Sequence, residues 1–263
     1  PATWGRERAG LYEEQRNYPG AIREYLLAVK EDTLRNYPTA EARVAEFAKD
    51  GEAAGAVLIA LTEAVRAQPR DARRMRLLTT YSLAAGKPDA ALAVFAALDR
   101  RDAAAESMLL QVAGQCVDGR AHATALAAYR MLIERFAASA FLPRAHLGVA
   151  VAEEGLGRTA RALGLYDEVR GRFPGTPEAQ EACFRVGEVR RVQRDPEGAL
   201  AAYRDLMAVQ MGGLWQRQAM MGVGACLLSL GDAQGSRQGY ELVVRMGPGS
   251  EEAEEAVFRI AEV

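Results

Sequence analysis

The sequence predicts an all-α protein, a helical solenoid of about seven helix pairs followed by one lone terminal helix. Three observations carry that expectation. Tyrosines recur at Tyr129, Tyr166, Tyr203 and Tyr240, each 37 residues after the last. The stretch FPGTPEAQEACFRVGEV, Phe173 to Val189, returns 74 residues later as GPGSEEAEEAVFRIAEV, Gly247 to Val263, with ten of seventeen positions identical. Alanine, the best helix former, dominates a composition that is 49% apolar and 26% charged, which is too hydrophobic for disorder. Length alone would allow one large or two ordinary domains, but a fixed period outranks length as evidence of organisation.

The recurring unit is Gly-x-x-x-x-Ala-Leu-x-x-Tyr. It reads RAHATALAAY from Arg120 to Tyr129, GRTARALGLY from Gly157 to Tyr166, RDPEGALAAY from Arg194 to Tyr203 and GDAQGSRQGY from Gly231 to Tyr240. Upstream, GKPDAALAVF puts Phe95 in the tyrosine's place and NYPGAIREY puts Tyr25 there, with a degenerate unit between them around Glu52 to Pro69. The units run 1–36, 37–70, 71–104, 105–141, 142–178, 179–215 and 216–249, with a capping or truncated helix over 250–263. Small residues repeat in each helix of a pair. They are Ala9, Thr79, Ala113, Ala150, Gly187 and Gly224 in the first helices, and Ala21, Ala91, Ala125, Ala162, Ala199 and Ser236 in the second. Closely crossing helices need small side chains where the axes meet, and larger ones fill the space beside them. Gly157 and Gly231 suit helix C-termini. Thr176 and Ser250 suit N-caps, with Glu178 and Glu252 favourably placed in the first turn. Met211 to Gly213 reads as a turn between repeats.

This pattern resembles the tetratricopeptide repeat over almost the whole chain. The resemblance implies helical hairpins stacked into a right-handed superhelix, since one hairpin cannot bury its apolar face alone. Pro69, Pro174 and Pro248 take the closing-proline positions. The joint Phe173 to Ala179 is similar to that of bacterial envelope members, the outer-membrane assembly lipoprotein and the Tol-Pal coordinator.

Little points to catalysis, and no catalytic, metal or cofactor site is expected. His122 and His146 belong to no metal-ligand spacing. Cys116, Cys183 and Cys226 lie on three different first helices and read as small core residues rather than a disulfide framework. The Gly-x-Gly of GVGACL sits on the small-residue register of a helix, not in a phosphate loop. The charge run RDARRMR, Arg70 to Arg76, reads as a solvated helix start. A formal charge of −2 argues against a nucleic-acid binder. The apolar run AVLIAL, Ala56 to Leu61, is far too short for a membrane span. No signal peptide is visible, though the chain opens on Pro1 rather than methionine, which fits an export signal, anchor or further domain lying outside it.

The resemblance places a concave groove along the first helices. Three rows would face it: Arg76, Leu110, Leu147, Phe184 and Met221; Thr80, Gly114, Val151, Glu188 and Ala225; and Leu83, Val117, Glu154, Arg191 and Leu228. Leu110, Arg144, Leu147, Val151, Phe184, Arg185, Glu188, Arg191, Met221 and Leu228 are the candidate partner-binding residues. They form an apolar strip in which arginine forks would hold a partner's carboxylates. Gly114, Gly148 and Gly222 would let a ligand backbone come close. Chaperone-binding members grip a C-terminal carboxylate with asparagines and lysines. Only Asn17, Asn36, Lys30, Lys49 and Lys87 are present, none of the asparagines at a matching groove site, so that mode is rejected. The expected function is a non-catalytic scaffold that binds a protein or peptide segment as part of a larger complex, periplasmic or at the outer membrane. A cytoplasmic location, a structural accessory subunit using its convex face, and a regulatory repeat region of a larger enzyme are the alternatives.

Overall fold

A computed structural model describes residues 2–31, 33–51, 53–98, 101–208 and 214–263. Among them lie fifteen helices and no strand, the number that seven hairpins and a single helix require. Residues 211–213, where a turn is expected, lie outside the described residues. No helix among the described residues is long and apolar enough to cross a membrane.

The chain divides into two units, Pro1–Leu156 and Gly157–Val263. Unit 1 holds α1 (Ala2–Glu14), α2 (Tyr18–Glu31), α3 (Thr33–Phe47), α4 (Ala54–Ala67), α5 (Ala72–Ala84), α6 (Asp89–Ala97), α7 (Ala103–Asp118), α8 (His122–Arg135) and α9 (Leu142–Gly155). Unit 2 holds α10 (Thr159–Arg172), α11 (Pro177–Val192), α12 (Pro196–Ala208), α13 (Leu214–Ser229), α14 (Ala233–Met246) and α15 (Glu251–Glu262). The degenerate second repeat begins earlier than its spacing suggests: α3 starts at Thr33 and carries Pro38 inside it.

Local chemistry accounts for the helix ends. In six of the seven hairpins, all but α3–α4, the first helix closes on a residue in the left-handed region among the described residues. Glycine fills it at Gly86, Gly157 and Gly231, with φ of 66°, 74° and 84°, and arginine fills it at Arg16, Arg120 and Arg194, with φ of 53°, 57° and 61°. The following N–H then reaches back five residues, as from Ala121 to the Cys116 carbonyl at 2.7 Å and from Asp195 to the Arg190 carbonyl at 2.9 Å. That is the Schellman closure. Next helices start on side-chain caps. The Thr176 hydroxyl accepts from the Ala179 N–H and the Ser250 hydroxyl from the Ala253 N–H, both at 3.2 Å. Asp71, Asp102 and Asp232 do the same for α5, α7 and α14.

The small positions of the pattern are buried. Ala9, Ala21, Thr79, Ala91, Ala113, Ala125, Ala150, Ala162, Ala199 and Ser236 have no accessible surface. The space they leave is taken by the recurring tyrosines. Tyr203 of α12 lies between Gly187 of α11 and Gly222 of α13: a methyl group at either glycine would fall 2.2 or 2.5 Å from its ring. Tyr240 lies against Gly224, and in unit 1 Tyr129 lies against Gly148. Gly148 and Gly222 therefore make room for the protein's own tyrosines. Gly114 alone of the three has nothing within 4 Å.

The cysteines and His122 are packing residues. All three thiols are buried. Burial pushes Cys116 up to about 11 and raises Cys183 and Cys226 as well, so none is an activated nucleophile. The His122 ring occupies the space over Gly155.

Candidate partner-binding groove

In unit 2, α11, α13 and α15 each present one row of side chains to a shared groove of about 610 Å³. The rows follow helical spacing. Phe184, Glu188 and Arg191 come from α11, and Met221, Ala225 and Leu228 from α13. Glu252, Glu255, Arg259 and Glu262 come from α15, with Glu251 beside them. Positions three, four and seven apart lie on one helix face, and the opposite faces of α11 and α13 are spent on the core with Ala182, Cys183, Val186, Gly187, Ala219 and Cys226.

Aromatic packing forms the groove's floor. The Phe184 ring lies 5.3 Å from Trp215 and 6.1 Å from Tyr203. The Tyr203 hydroxyl donates to Glu188 Oε1, while Arg191 grips the same carboxylate with two prongs, Nε to Oε1 at 3.2 Å and Nη2 to Oε2 at 2.8 Å. Burial alone would push the Glu188 carboxyl up. The bonds from Arg191 and Tyr203, with the Arg191 charge, outweigh it and hold the group below the ordinary carboxylate value. Burial and the Glu188 acceptor both raise the Tyr203 phenol, so it stays a donor.

Five of the expected residues meet here: Phe184, Glu188, Arg191, Met221 and Leu228. Arg185 does not line the groove. Its Nε is tied to Glu181 Oε1 at 2.9 Å, one turn back on α11. Leu110, Arg144, Leu147 and Val151 belong to unit 1. Arg144 is exposed there, and Leu110 and Val151 are half-buried. Leu147 is only 1% exposed, which corrects its assignment as a contact residue: α9 is buried around most of its circumference, so the expected outward row turns into the core. The nearest equivalent surface in unit 1 lies on α3, α5 and α7, where Arg76 stacks 5.0 Å over the Tyr37 ring and binds Glu41, beside an exposed Leu34.

A further correction concerns charge. The arginines expected to await a partner's carboxylate are occupied by the protein's own, as Glu181 and Glu188 show. The glutamates of α15 largely form the groove's third wall, while Val257 and Phe258 stand exposed next to them at 57% and 62%. The wall is within reach of the repeat arithmetic, because Glu188, Ala225 and Glu262 follow one another at 37 residues. Trp215 and the buried Glu153, bound by Arg130 at 3.0 Å, carry no comparable signal.

The profile of the tetratricopeptide repeat family matches three overlapping stretches, residues 117–177, 147–213 and 184–251. Together they span 117–251, just over half of the chain. Among curated proteins none matches. Among solved structures, a tetratricopeptide repeat protein from Parabacteroides merdae is similar over 99% of this chain and 98% of its own, at 12% identity and a TM-score of 0.49. PilF of Pseudomonas aeruginosa is similar over 87% of this chain and 100% of its own, at 14% identity and a TM-score of 0.48. A thermophilic TPR protein of Thermus thermophilus is similar over 73% of this chain and 97% of its own, at 16% identity and a TM-score of 0.47. With the 37-residue period, the small-residue register and the profile match over the second half of the chain, this protein belongs to the tetratricopeptide repeat family.

Proposed function

We propose that this chain is a non-catalytic scaffold that holds a peptide or helix of a partner protein in the groove of unit 2. Tetratricopeptide repeat proteins generally mediate protein–protein interaction and are typically non-catalytic. The observation that carries the reading is the groove itself: a preformed cleft of about 610 Å³ lined by half-buried Phe184 and Met221 and by exposed Leu228. A rigid apolar strip gains affinity because little ordering is needed on binding. The joint Phe173 to Ala179, similar to that of envelope members, supports a place in a bacterial cell-envelope assembly, periplasmic or at the outer membrane, against a cytoplasmic one.

A second reading, an accessory subunit that docks through its outer surface, has its own support. On the second helices of unit 1, Leu27 of α2 and Ile59 of α4 are 44% and 60% exposed, and a smaller cleft lies between those helices. Affinity purification from the native host separates the two. Leu228→Asp should release the co-purifying protein while Ile59→Asp retains it. The reverse result would move the function to the outer surface.

A further inference from the structure

We infer that the groove of unit 2 selects a cationic amphipathic segment, with lysines or arginines facing α15 and apolar side chains lying on Phe184, Met221 and Leu228. This rests on the groove reading above and specifies its occupant.

The ionisable groups that line the groove decide the sign. Glu188, Glu251, Glu252, Glu255 and Glu262 stand against Arg191 and Arg259, five carboxylates to two guanidiniums, a formal −3. Both guanidiniums are already committed. Arg191 holds Glu188, and Arg259 spans Glu255 at 3.3 Å and Glu262 at 3.1 Å. Arg217, behind the wall, takes Glu252 at 3.3 Å. Glu251 has no cation within ion-pair reach among the described residues. An incoming carboxylate would meet only guanidiniums already shared with the groove's own carboxylates, and would add to a lining that is net negative. An incoming ammonium or guanidinium meets Glu251, Glu255 and Glu262 without breaking a bond. The charge lies on one wall and the apolar surface on the floor, so the complementary segment must itself be two-faced. Three helices at ordinary packing distances span about 20 Å, the length of roughly 13 helical residues.

Three labelled peptides of roughly 16 residues test this. They share one leucine face at helical spacing and carry Lys, Gln or Glu at the remaining positions, and binding to the full chain is read by fluorescence anisotropy. At about 50 mM salt the Lys peptide should bind at least roughly tenfold tighter than the Gln peptide, and the Glu peptide weakest; at about 500 mM the gap should narrow as the Debye length shrinks. Glu251→Gln with Glu255→Gln, both on the exposed surface of α15, should remove most of the Lys advantage. Glu197→Gln, an exposed change on α12, should not, with circular dichroism confirming that each variant is folded. If Lys and Gln peptides bind equally and Leu228→Asp weakens both, the groove stands and the cationic preference falls. A Lys advantage that survives the double variant overturns the assignment to this wall. If no peptide binds, both readings fall.

Discussion

The first two repeats and the last two full ones solve the same packing problem differently. In α11 to α14, the glycines Gly187, Gly222 and Gly224 make room for Tyr203 and Tyr240, and shape does the work. In α1 to α4 the arrangement is reversed in one place, with Tyr12 of the first helix resting on Gly20 of the second, and polar cross-links carry more of the load. The Tyr25 hydroxyl donates to Glu13 at 2.6 Å, and Arg43 of α3 binds the same carboxylate. The Asn36 amide donates to the Ala28 carbonyl at 2.7 Å, and Tyr18 donates to Asp50. Both regions contain a Tyr–Glu–Arg triad, yet the arginine comes from the next repeat in the first case and from the same helix, Arg191, in the second. Where the small-residue register lapses, hydrogen bonds and ion pairs join one repeat to the next. The family profile matches 117–251 and leaves these first two repeats, with the third, unmatched.

The comparison breaks most visibly at Tyr203. Tyr203→Ala empties a fully buried site and should cost about 3–5 kcal/mol, read as a fall in the denaturant midpoint. Gly187→Ala, which drives a methyl into the same ring, should cost about 1–3 kcal/mol, while Gly114→Ala, with open space beside it, should stabilise by about 0.5–1 kcal/mol. Equal effects at the two glycines would remove shape as the organising factor. On the other side, Asn36→Ala leaves a buried carbonyl without its donor and should cost about 1–2 kcal/mol; a neutral result would mean the early repeats do not depend on their polar links. The smallest effect is on pH dependence. Glu188 is held below its ordinary 4.5 in the fold, so its stabilising contribution is present above that value and is lost as the pH falls through the lower folded one. Glu188→Gln should flatten the acid side of the stability curve and leave the neutral region nearly unchanged.

Much of this is legible in the residues. The 37-residue step locates the helices, Thr176 and Ser250 announce their starts, and Ala125, Ala162 and Ala199 mark the crossings, because close packing admits few side chains at those points. Other features are hidden for physical reasons. A missing Cβ looks the same whether it admits a ligand or a neighbouring ring, and at Gly148 and Gly222 a tyrosine ring takes the space. Arg120 and Arg194 adopt left-handed backbone that residue type alone disfavours. The pairs Glu181–Arg185 and Glu188–Arg191 stand four and three residues apart on one helix, so their spacing alone allows them, whereas the reach of Arg43 to Glu13 depends on folding. Leu147 shows the limit of counting along a helix, since nothing in its own turn reveals that α9 is enclosed.

The Tyr203 ring, seated between Gly187 and Gly222, sets the separation of α11 and α13 by the thickness of an arene. The same ring meets Phe184 and its hydroxyl reaches Glu188, two of the side chains that line the cleft. One phenol thus serves as both spacer and foundation, and a change at Tyr203 alters the gap between the helices and the lining of the cleft together.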